Sequence, residues 1–270
     1  MPKATVIIST YNQPEWLKKC LWGYEFQDEK DFDIVIADDG SGEDTEALVS
    51  EFISNSSLAI VHLWQEDNGF RKNTILNKAI QSAQSDYLIF TDGDCLPRRD
   101  FVSTHLRLKK EHSFLSGGYF KLPETISKRI DKETIKNQSC FDIKWLLDRG
   151  LKKTFKLNKL SSSGLKEQLL NRFTPTKATW DGMNVSGFKT DIEAVNGYDE
   201  RMGYGGEDRE LGERLMNKGI KPIQIRYSAI CLHLYHERGY NTSEQWDLNN
   251  TIRKQTKRSK SVWTDFGIVK

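Results

Sequence analysis

The sequence predicts an α/β fold: a mostly parallel sheet flanked by helices, with a basic helical insertion in its second half. Two observations lead to this prediction. Apolar, β-branched runs of strand length alternate with amphipathic stretches through the first 120 residues, and polar or acidic residues follow the strands. Strands that alternate with helices form parallel sheets covered on both faces, and ligands bind beyond the carboxyl ends of such strands.

Each element follows from its apolar period and its flanking residues. Apolar runs predict strands at Ala4–Thr10, Phe32–Ala37, Leu58–Trp64, Tyr87–Thr91, Phe114–Lys121, Met183–Phe188, Pro222–Ile225 and Ala229–Leu232. Spacings of three and four predict helices at Pro14–Tyr24, Thr45–Ser54, Asn73–Ala83, Arg99–Glu111, Phe141–Leu147, Lys166–Phe173 and Glu207–Asn217. Pro14 fits a first helical turn after Asn12 or Gln13 as the cap, and Gly219 fits the position that ends the last helix.

Composition predicts a soluble globular protein. The chain has 270 residues, of which 37% are hydrophobic and 29% charged. No apolar run approaches the roughly 20 residues of a membrane-spanning helix, and the start of the chain lacks a signal-peptide pattern. We therefore expect a cytoplasmic location, where thiols stay reduced, which suits the scattered Cys20, Cys95, Cys140 and Cys231.

Charge is unevenly distributed along the chain. The net charge is +2, yet residues 121–177 hold 14 Lys/Arg against 6 Asp/Glu, and residues 249–270 hold 6 against 1. These basic segments are either solvated helix faces or surfaces that meet an anionic partner.

Two acidic clusters carry candidate chemistry. Asp92 and Asp94, separated by Gly93 after a predicted strand, can reach one divalent cation that neutralises a nucleotide diphosphate; the alternative is a solvated turn. Glu207 and Asp208 follow a glycine-rich loop in a first helical turn, where the macrodipole keeps a general base ionised; the alternative is ordinary helix capping.

A histidine pair forms the third cluster. His233 and His236 can face one metal as neutral imidazoles, although such pairs are more often structural. The loop after the first strand has neither the glycine fingerprint of a Rossmann dinucleotide site nor a Walker loop.

In their order along the chain, these motifs resemble family 2 glycosyltransferases with the Rossmann-like GT-A fold. The first half of the resemblance lies in Ser9-Thr10-Tyr11-Asn12, Asp38-Asp39-Gly40-Ser41, Asn68-Gly69-Phe70-Arg71, Asn77-Lys78-Ala79 and Asp92-Gly93-Asp94. The second half is similar to the β-1,4-galactosyltransferase and chondroitin-polymerase group in Asn184-Val185-Ser186-Gly187, Asn196-Gly197-Tyr198-Asp199-Glu200 and Gly205-Gly206-Glu207-Asp208. Residues 121–177 match no motif of these families.

The resemblance implies a role for each matching position. Asp208 matches the catalytic base, and contacts to the acceptor or donor sugar fall on Tyr204, Gly206 and Glu207. Contacts to the nucleotide-sugar fall on Thr10, Tyr11, Asn12, Asp38, Asp39, Asn68, Arg71, Asn77, Asp92 and Asn184. The metal, Mn²⁺ or Mg²⁺, falls on Asp94 and His236, with Asp92 and His233 as further ligands.

The implied reaction is an inverting transfer of a hexose or N-acetylhexosamine from a UDP-sugar to a glycan or lipid-linked glycan, in polysaccharide biosynthesis. The implied organisation is a nucleotide-sugar-binding half (1–120), a basic, mainly helical insertion (121–180), an acceptor and catalytic half (181–245) and a basic tail (246–270). A nucleotidyltransferase and a non-catalytic carbohydrate-binding protein are the alternatives. Nucleic acid is not an expected partner, because aromatic residues do not interleave the basic runs.

The basic tail leads to a hypothesis about location. It holds Arg253, Lys254, Lys257, Arg258 and Lys260, followed by Trp263 and Phe266 as interfacial anchors. Basic segments are attracted to anionic lipid, so the tail, helped by residues 121–177, would dock the enzyme reversibly on the inner face of the membrane. A solvated tail or a groove for an anionic acceptor is the competing interpretation.

Overall fold

The computed structural model describes residues 1–237 and 243–270. Its strands are β1 Ala4–Thr10, β2 Phe32–Asp38, β3 Ile60–Trp64, β4 Tyr87–Asp92, β5 Cys95–Pro97, β6 Ser113–Ser116, β7 Gly118–Lys121, β8 Val185–Phe188, β9 Lys221–Gln224 and β10 Ile230–His233. Its α-helices are α1 Pro14–Glu25, α2 Glu43–Asn55, α3 Lys72–Ser82, α4 Phe101–Leu108, α5 Glu124–Arg129, α6 Lys132–Lys136, α7 Ile143–Asp148, α8 Asn158–Ser161, α9 Gly164–Phe173, α10 Lys189–Glu193, α11 Glu207–Asn217 and α12 Ser243–Ser259.

A seven-stranded sheet in the order β3-β2-β1-β4-β8-β6-β9 forms the centre of the molecule. β1 is parallel to β2 and β4, and β8 is antiparallel to β4 and β6. Side chains alternate along β1: Val6 and Ile8 pack with α1 and α2, whereas Ile7 packs with α3 and α11. Both faces are therefore covered, and the predicted, mostly parallel sheet is confirmed.

The predicted single strand Phe114–Lys121 is wrong. The chain changes sheet at Gly117: β6 belongs to the large sheet, whereas β7 joins a small sheet in the order β5-β10-β7. A side chain at Gly117 would overlap the Asn184 side chain, and one at Gly118 would overlap the Arg226 carbonyl. The close approach of these neighbours requires glycine at the break.

The basic segment after β7 folds as a series of short helices over the small sheet. The predicted helix Phe141–Leu147 is interrupted at Asp142, which has an extended ψ of 130°. Its carboxylate accepts from Trp145 N at 2.8 Å and starts α7 as a cap. Apolar residues of this segment pack with β10 in a hydrophobic core separate from those on the two faces of the large sheet. This core includes Phe120, Leu122, Ile126, Ile130, Ile135, Leu146, Ile230 and Leu232.

The segment predicted as a basic tail folds mainly as α12, which the sequence patterns did not predict. Asn249, Ile252 and Thr256 of α12 are buried and the helix packs against α11. Beyond it, Thr264 donates to Asp199 Oδ2 at 2.7 Å. These contacts join the end of the described chain to the body.

Two expectations from composition can be compared with the structure. All four cysteines are buried and unpaired, which confirms the prediction of free thiols. Within the described ranges, no helix combines the length and the apolar character that crossing a bilayer requires.

Candidate active site

The carboxyl ends of β1 and β4 and the start of α11 open into one cavity of about 610 Å³. The structure brings eleven of the predicted site residues to its wall. They are Thr10, Tyr11, Asp39, Asp92, Asp94, Tyr204, Gly206, Glu207, Asp208, His233 and His236. Residues far apart in the sequence therefore share one site.

The turn after β4 places two carboxylates at this cavity. Gly93 N donates to Ser9 O at 2.7 Å, and a Cβ at Gly93 would lie 3.0 Å from Thr10 Oγ1. Glycine therefore lets the turn pack directly against the end of β1. Asp92 and Asp94 consequently project beside the polar residues that follow β1.

Asp94 meets the two histidines through the small sheet. His233 pairs with Cys95 in the β5–β10 ladder, and Leu234 N donates to Asp94 O at 2.9 Å. Ligand atoms of Asp94, His233 and His236 all lie within 4.8 Å of one another. Three of the four predicted metal residues therefore form one cluster.

The hydrogen bonds of the histidines show that this cluster fits a cation. His233 Nδ1 lies 2.8 Å from the carbonyl oxygen of Leu234, and His236 Nδ1 lies 3.1 Å from that of Glu237. A carbonyl oxygen only accepts, so each Nδ1 carries its proton and each Nε2 keeps a lone pair when neutral. His236 Nε2 lies 3.1 Å from Asp94 Oδ2, and two acceptors at that distance need a proton or a metal ion between them.

Asp92 is partly engaged by the protein itself. Its Oδ1 accepts from Ser9 Oγ at 2.6 Å and from Lys72 Nζ at 2.8 Å. Burial disfavours the charged carboxylate, but the Lys72 ammonium outweighs burial and lowers the pKa of Asp92. Asp92 also lies within ligand distance of Asp94, so it borders the metal cluster with one oxygen already bonded.

Glu207 and Asp208 open α11 directly after residues 203–206, here called the glycine loop. Gly205 has a φ of +107°, which favours glycine, and its N–H donates to Glu207 Oε2 at 2.7 Å. Asp208 Oδ1 is buried and has no hydrogen-bond partner among the described residues. A Cβ at Gly182 would lie 2.6 Å from that oxygen, so glycine at this position leaves room for the carboxylate.

Four carboxylates surround Lys72 and perturb one another. Burial raises the pKa of Asp208, with the Lys72 charge in partial opposition. Burial and then the Asp208 charge raise the pKa of Glu207 to about 7 and that of Asp181 to about 6. Burial alone would lower the pKa of Lys72, but Asp92, Asp208 and Glu207 outweigh it and raise that pKa well above its usual value.

The opposite wall carries residues that follow β1 and β2. Asp39 accepts from Gln65 Nε2 at 2.6 Å and from Arg71 N at 2.8 Å, and burial raises its pKa. Tyr11 donates from its hydroxyl to Asp67 Oδ2 at 2.8 Å. These bonds hold Asp39 and Tyr11 in place at the cavity wall, beside Thr10.

Two predicted nucleotide contacts have other partners in the structure. The Asn77 amide donates to Tyr198 O and accepts from Tyr198 N, at 2.9 and 2.8 Å. The Asn184 amide donates to the carbonyls of Gly118 and Ala229, at 2.7 and 3.1 Å. Both are buried, and both hold the backbone of neighbouring loops rather than line the cavity.

Four further predicted contacts lie outside the cavity wall. Asn12 Oδ1 accepts from the backbone N–H of residue 42, and Asp38 Oδ1 accepts from that of residue 41. Arg71 supports the wall through its backbone N–H, which bonds to the Asp39 carboxylate. Asn68 is exposed on its loop.

The cavity is also lined by residues that no sequence pattern predicted as part of the site, among them Lys72, Asp181, Trp246 and Arg253. Lys72 begins α3, where a lysine is usually a solvated surface residue. Its one available signal was its place between the Asn-Gly-Phe-Arg and Asn-Lys-Ala motifs. Asp181 stands alone in the sequence, with no motif to mark it.

α12 shapes one end of the cavity by holding the glycine loop. The Nδ2 amide of Asn249 lies 2.9 Å from Gly203 O, 3.3 Å from Tyr204 O and 3.0 Å from Gly205 O. A Cβ at Gly205 would overlap the Trp246 ring, and this ring is 47% exposed. Two aromatic rings, Tyr204 and Trp246, therefore line the cavity beside the glycine loop.

Two family models match the chain. "Glycosyl transferase family 2" matches residues 5–151, and "N-terminal domain of galactosyltransferase" matches residues 173–237. α12 lies beyond both matched ranges.

Curated relatives cover most of this chain at low identity. The uncharacterized glycosyltransferase YfnE of Bacillus subtilis is 26% identical over 87% of this chain and 65% of its own length. Validoxylamine A glucosyltransferase of Streptomyces hygroscopicus subsp. jinggangensis is 27% identical over 90% of this chain and 58% of its own. Chondroitin synthase of Escherichia coli is 26% identical over 80% of this chain and 32% of its own length. The chain thus spans less than two thirds of the length of these relatives.

Solved structures share the fold. The mannosyltransferase PcManGT from Pyrobaculum calidifontis, in complex with GDP-Man and Mn²⁺, has a TM-score of 0.60 at 19% identity, over 92% of this chain and 61% of that one. S. aureus TarS 1–349 in complex with UDP-GlcNAc has a TM-score of 0.61 at 14% identity, over 96% of this chain and 69% of that one.

Proposed function

This chain belongs to glycosyltransferase family 2 and has the GT-A fold, and from that premise we propose the reaction of its cavity. The enzyme moves a hexose or N-acetylhexosamine from a UDP-sugar to a hydroxyl group of a glycan, with inversion at the anomeric carbon. One observation carries the proposal: Asp208, whose buried Oδ1 has no hydrogen-bond partner among the described residues, lines the same cavity as the Asp94–His233–His236 cluster.

Asp208 acts as the general base in this proposal. Its carboxylate accepts the proton of the acceptor hydroxyl as that oxygen bonds to the anomeric carbon, and the bond from that carbon to the UDP oxygen breaks. Burial raises the pKa of Asp208, which makes its ionised form a stronger base. A non-catalytic carbohydrate-binding protein would not need a buried carboxylate oxygen without a partner.

Asp94, His233 and His236 would hold the divalent cation, which would supply positive charge to neutralise the diphosphate leaving group. Mg²⁺ prefers oxygen ligands, whereas two of these three ligands are imidazole nitrogens. Of the two expected ions, we therefore favour Mn²⁺, and PcManGT was solved with Mn²⁺.

Lys72 supplies a fixed positive charge beside the diphosphate. Its ammonium is held by Asp92 at 2.8 Å and lines the cavity. A preorganised cation needs no rearrangement when negative charge develops on the leaving group. Asp92 thus acts mainly by orienting Lys72 and by bordering the metal cluster.

The nucleoside lies against Thr10, Tyr11 and Asp39 at the ends of β1 and β2. Support comes from their position on the cavity wall, which is the rim where α/β sheets bind nucleotides. The preference for uridine rests on the family resemblance, and TarS was solved with UDP-GlcNAc.

The acceptor is a glycan that packs against Tyr204 and Trp246. Both rings line the cavity, and aromatic faces offer a large rigid surface to the apolar side of a sugar ring. Glu207 lies beside them, and its pKa of about 7 lets it donate or accept a hydrogen bond to a sugar hydroxyl at neutral pH.

Release of UDP from a panel of UDP-sugars tests the proposal. We expect release with Mn²⁺, weaker release with Mg²⁺ and none with a chelator. GDP-mannose in the same panel tests the preference for uridine. If GDP-mannose were the one donor turned over, the donor nucleoside would be guanosine and not uridine. If the protein binds UDP and Mn²⁺ but releases nucleotide from none of the donors, the proposed reaction is wrong.

A further inference from the structure

α9 exposes large apolar side chains and buries none of its residues. Leu165, Leu169 and Phe173 are 78%, 55% and 70% exposed. A surface helix normally turns such residues toward the core, and a contiguous exposed apolar stripe marks an interaction surface.

Hydrogen bonds fix the apolar side of α9 away from the body. At about 100° per residue the three apolar side chains span an arc of about 80°, and Glu167 and Asn171 lie on the opposite side. The Asn171 amide donates to Ser228 Oγ at 2.8 Å and accepts from Tyr227 N at 2.9 Å. Ser228 in turn donates to Glu167. The polar side of α9 thus binds the β9–β10 connection, and these hydrogen bonds orient the apolar stripe away from the body.

Positive charge surrounds this stripe. On the helix, Lys166 and Arg172 border the apolar residues on either side. The exposed cations of residues 150–178 are Lys152, Lys153, Lys156, Lys166, Arg172 and Lys177. In the described part of the chain none of these six is paired with a carboxylate. Glu167, bonded on the inner side, is the only acidic residue between positions 149 and 179.

A further apolar side chain adjoins the helix. Phe155 is 74% exposed, and Asn158 connects its turn to α9. The Asn158 amide donates to Phe155 O at 3.0 Å and accepts from Lys166 Nζ at 3.1 Å. We name the four apolar side chains, together with the six exposed cations that lie between residues 150 and 178, the α9 face.

We propose that the α9 face docks the enzyme on an anionic lipid bilayer. Its leucine and phenylalanine side chains enter the interface between headgroups and acyl chains, and its cations meet the lipid phosphates. A stripe of apolar residues bordered by unpaired cations is complementary to such a surface. This proposal does not depend on which sugar the enzyme transfers.

The C-terminal segment is a weaker anchor than the sequence hypothesis assumed. Arg253 and Lys257 both lie against Glu213 Oε1, at 2.6 and 3.2 Å. The Arg201 guanidinium lies 3.8 Å from the centre of the Phe266 ring. Part of its charge and one of its aromatic rings are therefore engaged by the body of the protein, whereas on the α9 face the contact between Arg172 and the Phe173 ring, at 5.6 Å, lies within the face itself.

Vesicle sedimentation of the full chain tests this assignment. Vesicles of phosphatidylcholine with phosphatidylglycerol should bind the protein, and pure phosphatidylcholine should bind it far less. The variant Leu165→Ser/Leu169→Ser/Phe173→Ser should lose about tenfold or more in partitioning. Because these side chains are exposed, UDP-sugar hydrolysis without vesicles should stay normal and shows that the variant is folded.

Matched variants separate this surface from others. Ile53→Ser/Val61→Ser removes exposed apolar side chains elsewhere and should leave vesicle binding unchanged. Lys152→Gln/Lys153→Gln/Lys156→Gln should weaken binding to anionic vesicles, and high salt should do the same to the wild type.

Several outcomes would overturn the assignment. They are absence of vesicle binding by the wild type, equal binding by the triple serine variant, and loss of binding on Lys254→Gln/Arg258→Gln/Lys260→Gln alone. A wild-type dimer that the triple serine variant converts to a monomer would show that a second copy covers the α9 face instead.

Discussion

The proposed donor side of the cavity is built on a sheet, whereas the proposed acceptor side is built on a loop. Thr10 ends β1, and Asp39 and Asp94 follow β2 and β4; the parallel register of these strands fixes the relative positions of the three residues. The glycine loop before Asp208 is held instead by α12, through the three carbonyls that face Asn249. Donor binding should therefore survive changes on the acceptor side that impair transfer, and the following variants test that separation.

Asp94→Ala should have the largest effect and should fall on the donor side. Removal of the carboxylate leaves two imidazoles as the cluster, so we expect loss of transfer and of Mn²⁺-dependent UDP binding, with the fold intact. Calorimetric titration with UDP, with and without Mn²⁺, measures this. His236→Ala is the graded comparison and should raise the Mn²⁺ concentration needed. Near-normal Mn²⁺-dependent activity of Asp94→Ala would contradict the metal assignment.

Asp208→Asn should separate chemistry from donor binding. The amide keeps the shape of the side chain but cannot take the acceptor proton, so turnover should fall by roughly 10²–10⁴. UDP and donor affinity should remain close to those of the wild type. If affinity falls strongly while turnover persists, Asp208 belongs to the donor side and the division of the cavity is wrong.

The pH dependence should report on the acceptor side. Asp208 must be ionised to accept a proton, and its pKa is raised while that of its neighbour Glu207 is raised to about 7. Protonation of this pair on acidification should therefore reduce kcat/KM, about tenfold per pH unit below the apparent pKa. Glu207→Gln removes a negative neighbour and should move this acid limb to lower pH. An acid limb near the ordinary aspartate value of about 4 would contradict the assignment.

Asn249→Ala should have the smallest effect and should be confined to the acceptor side. Loss of its amide leaves loop carbonyls without their partner, which costs about 1–3 kcal/mol and should lower Tm by a few degrees. We expect a several-fold loss of transfer with unchanged UDP binding. Thr251→Ala is the control on the same helix, because among the described residues its hydroxyl bonds within α12, to Asp247 O at 2.8 Å. An equal effect of both variants would remove the special role of Asn249.

The donor side could be predicted from the sequence because its determinants are local. β1, β2 and β4 are apolar runs of strand length, and α1 and α3 show apolar residues at helical spacing. The acidic turn at the end of β4 and the two histidines at the end of β10 and just beyond it are short motifs, and the structure brings the ligand atoms of Asp94, His233 and His236 within 4.8 Å of one another. Local patterns are sufficient where the sheet register positions the side chains.

Other features could not be predicted, because they depend on contacts distant in sequence. The buried positions of α12 include Asn249 and Thr256, so the helix has no continuous apolar stripe. The sheet change at Gly117 depends on the Asn184 side chain. The sequence motif predicts Asn184 as a ligand contact, whereas the structure shows that it bonds to the carbonyls of Gly118 and Ala229. Lys72 reads as a surface residue until the carboxylates around it are in place.

The position of α12 also sets an order of events during synthesis. Asn249 follows Asp94 by 155 residues, so at roughly 5–20 residues per second the ribosome makes the acidic turn roughly 8–31 s before the helix that holds the glycine loop. A nascent chain in that interval contains β1, β2 and β4 with the polar residues at their ends, whereas His233, His236 and the support of the glycine loop come only at its close. Assembly of the catalytic site is therefore a late step of synthesis, and a chain shortened within α12 would hold donor without a defined place for acceptor.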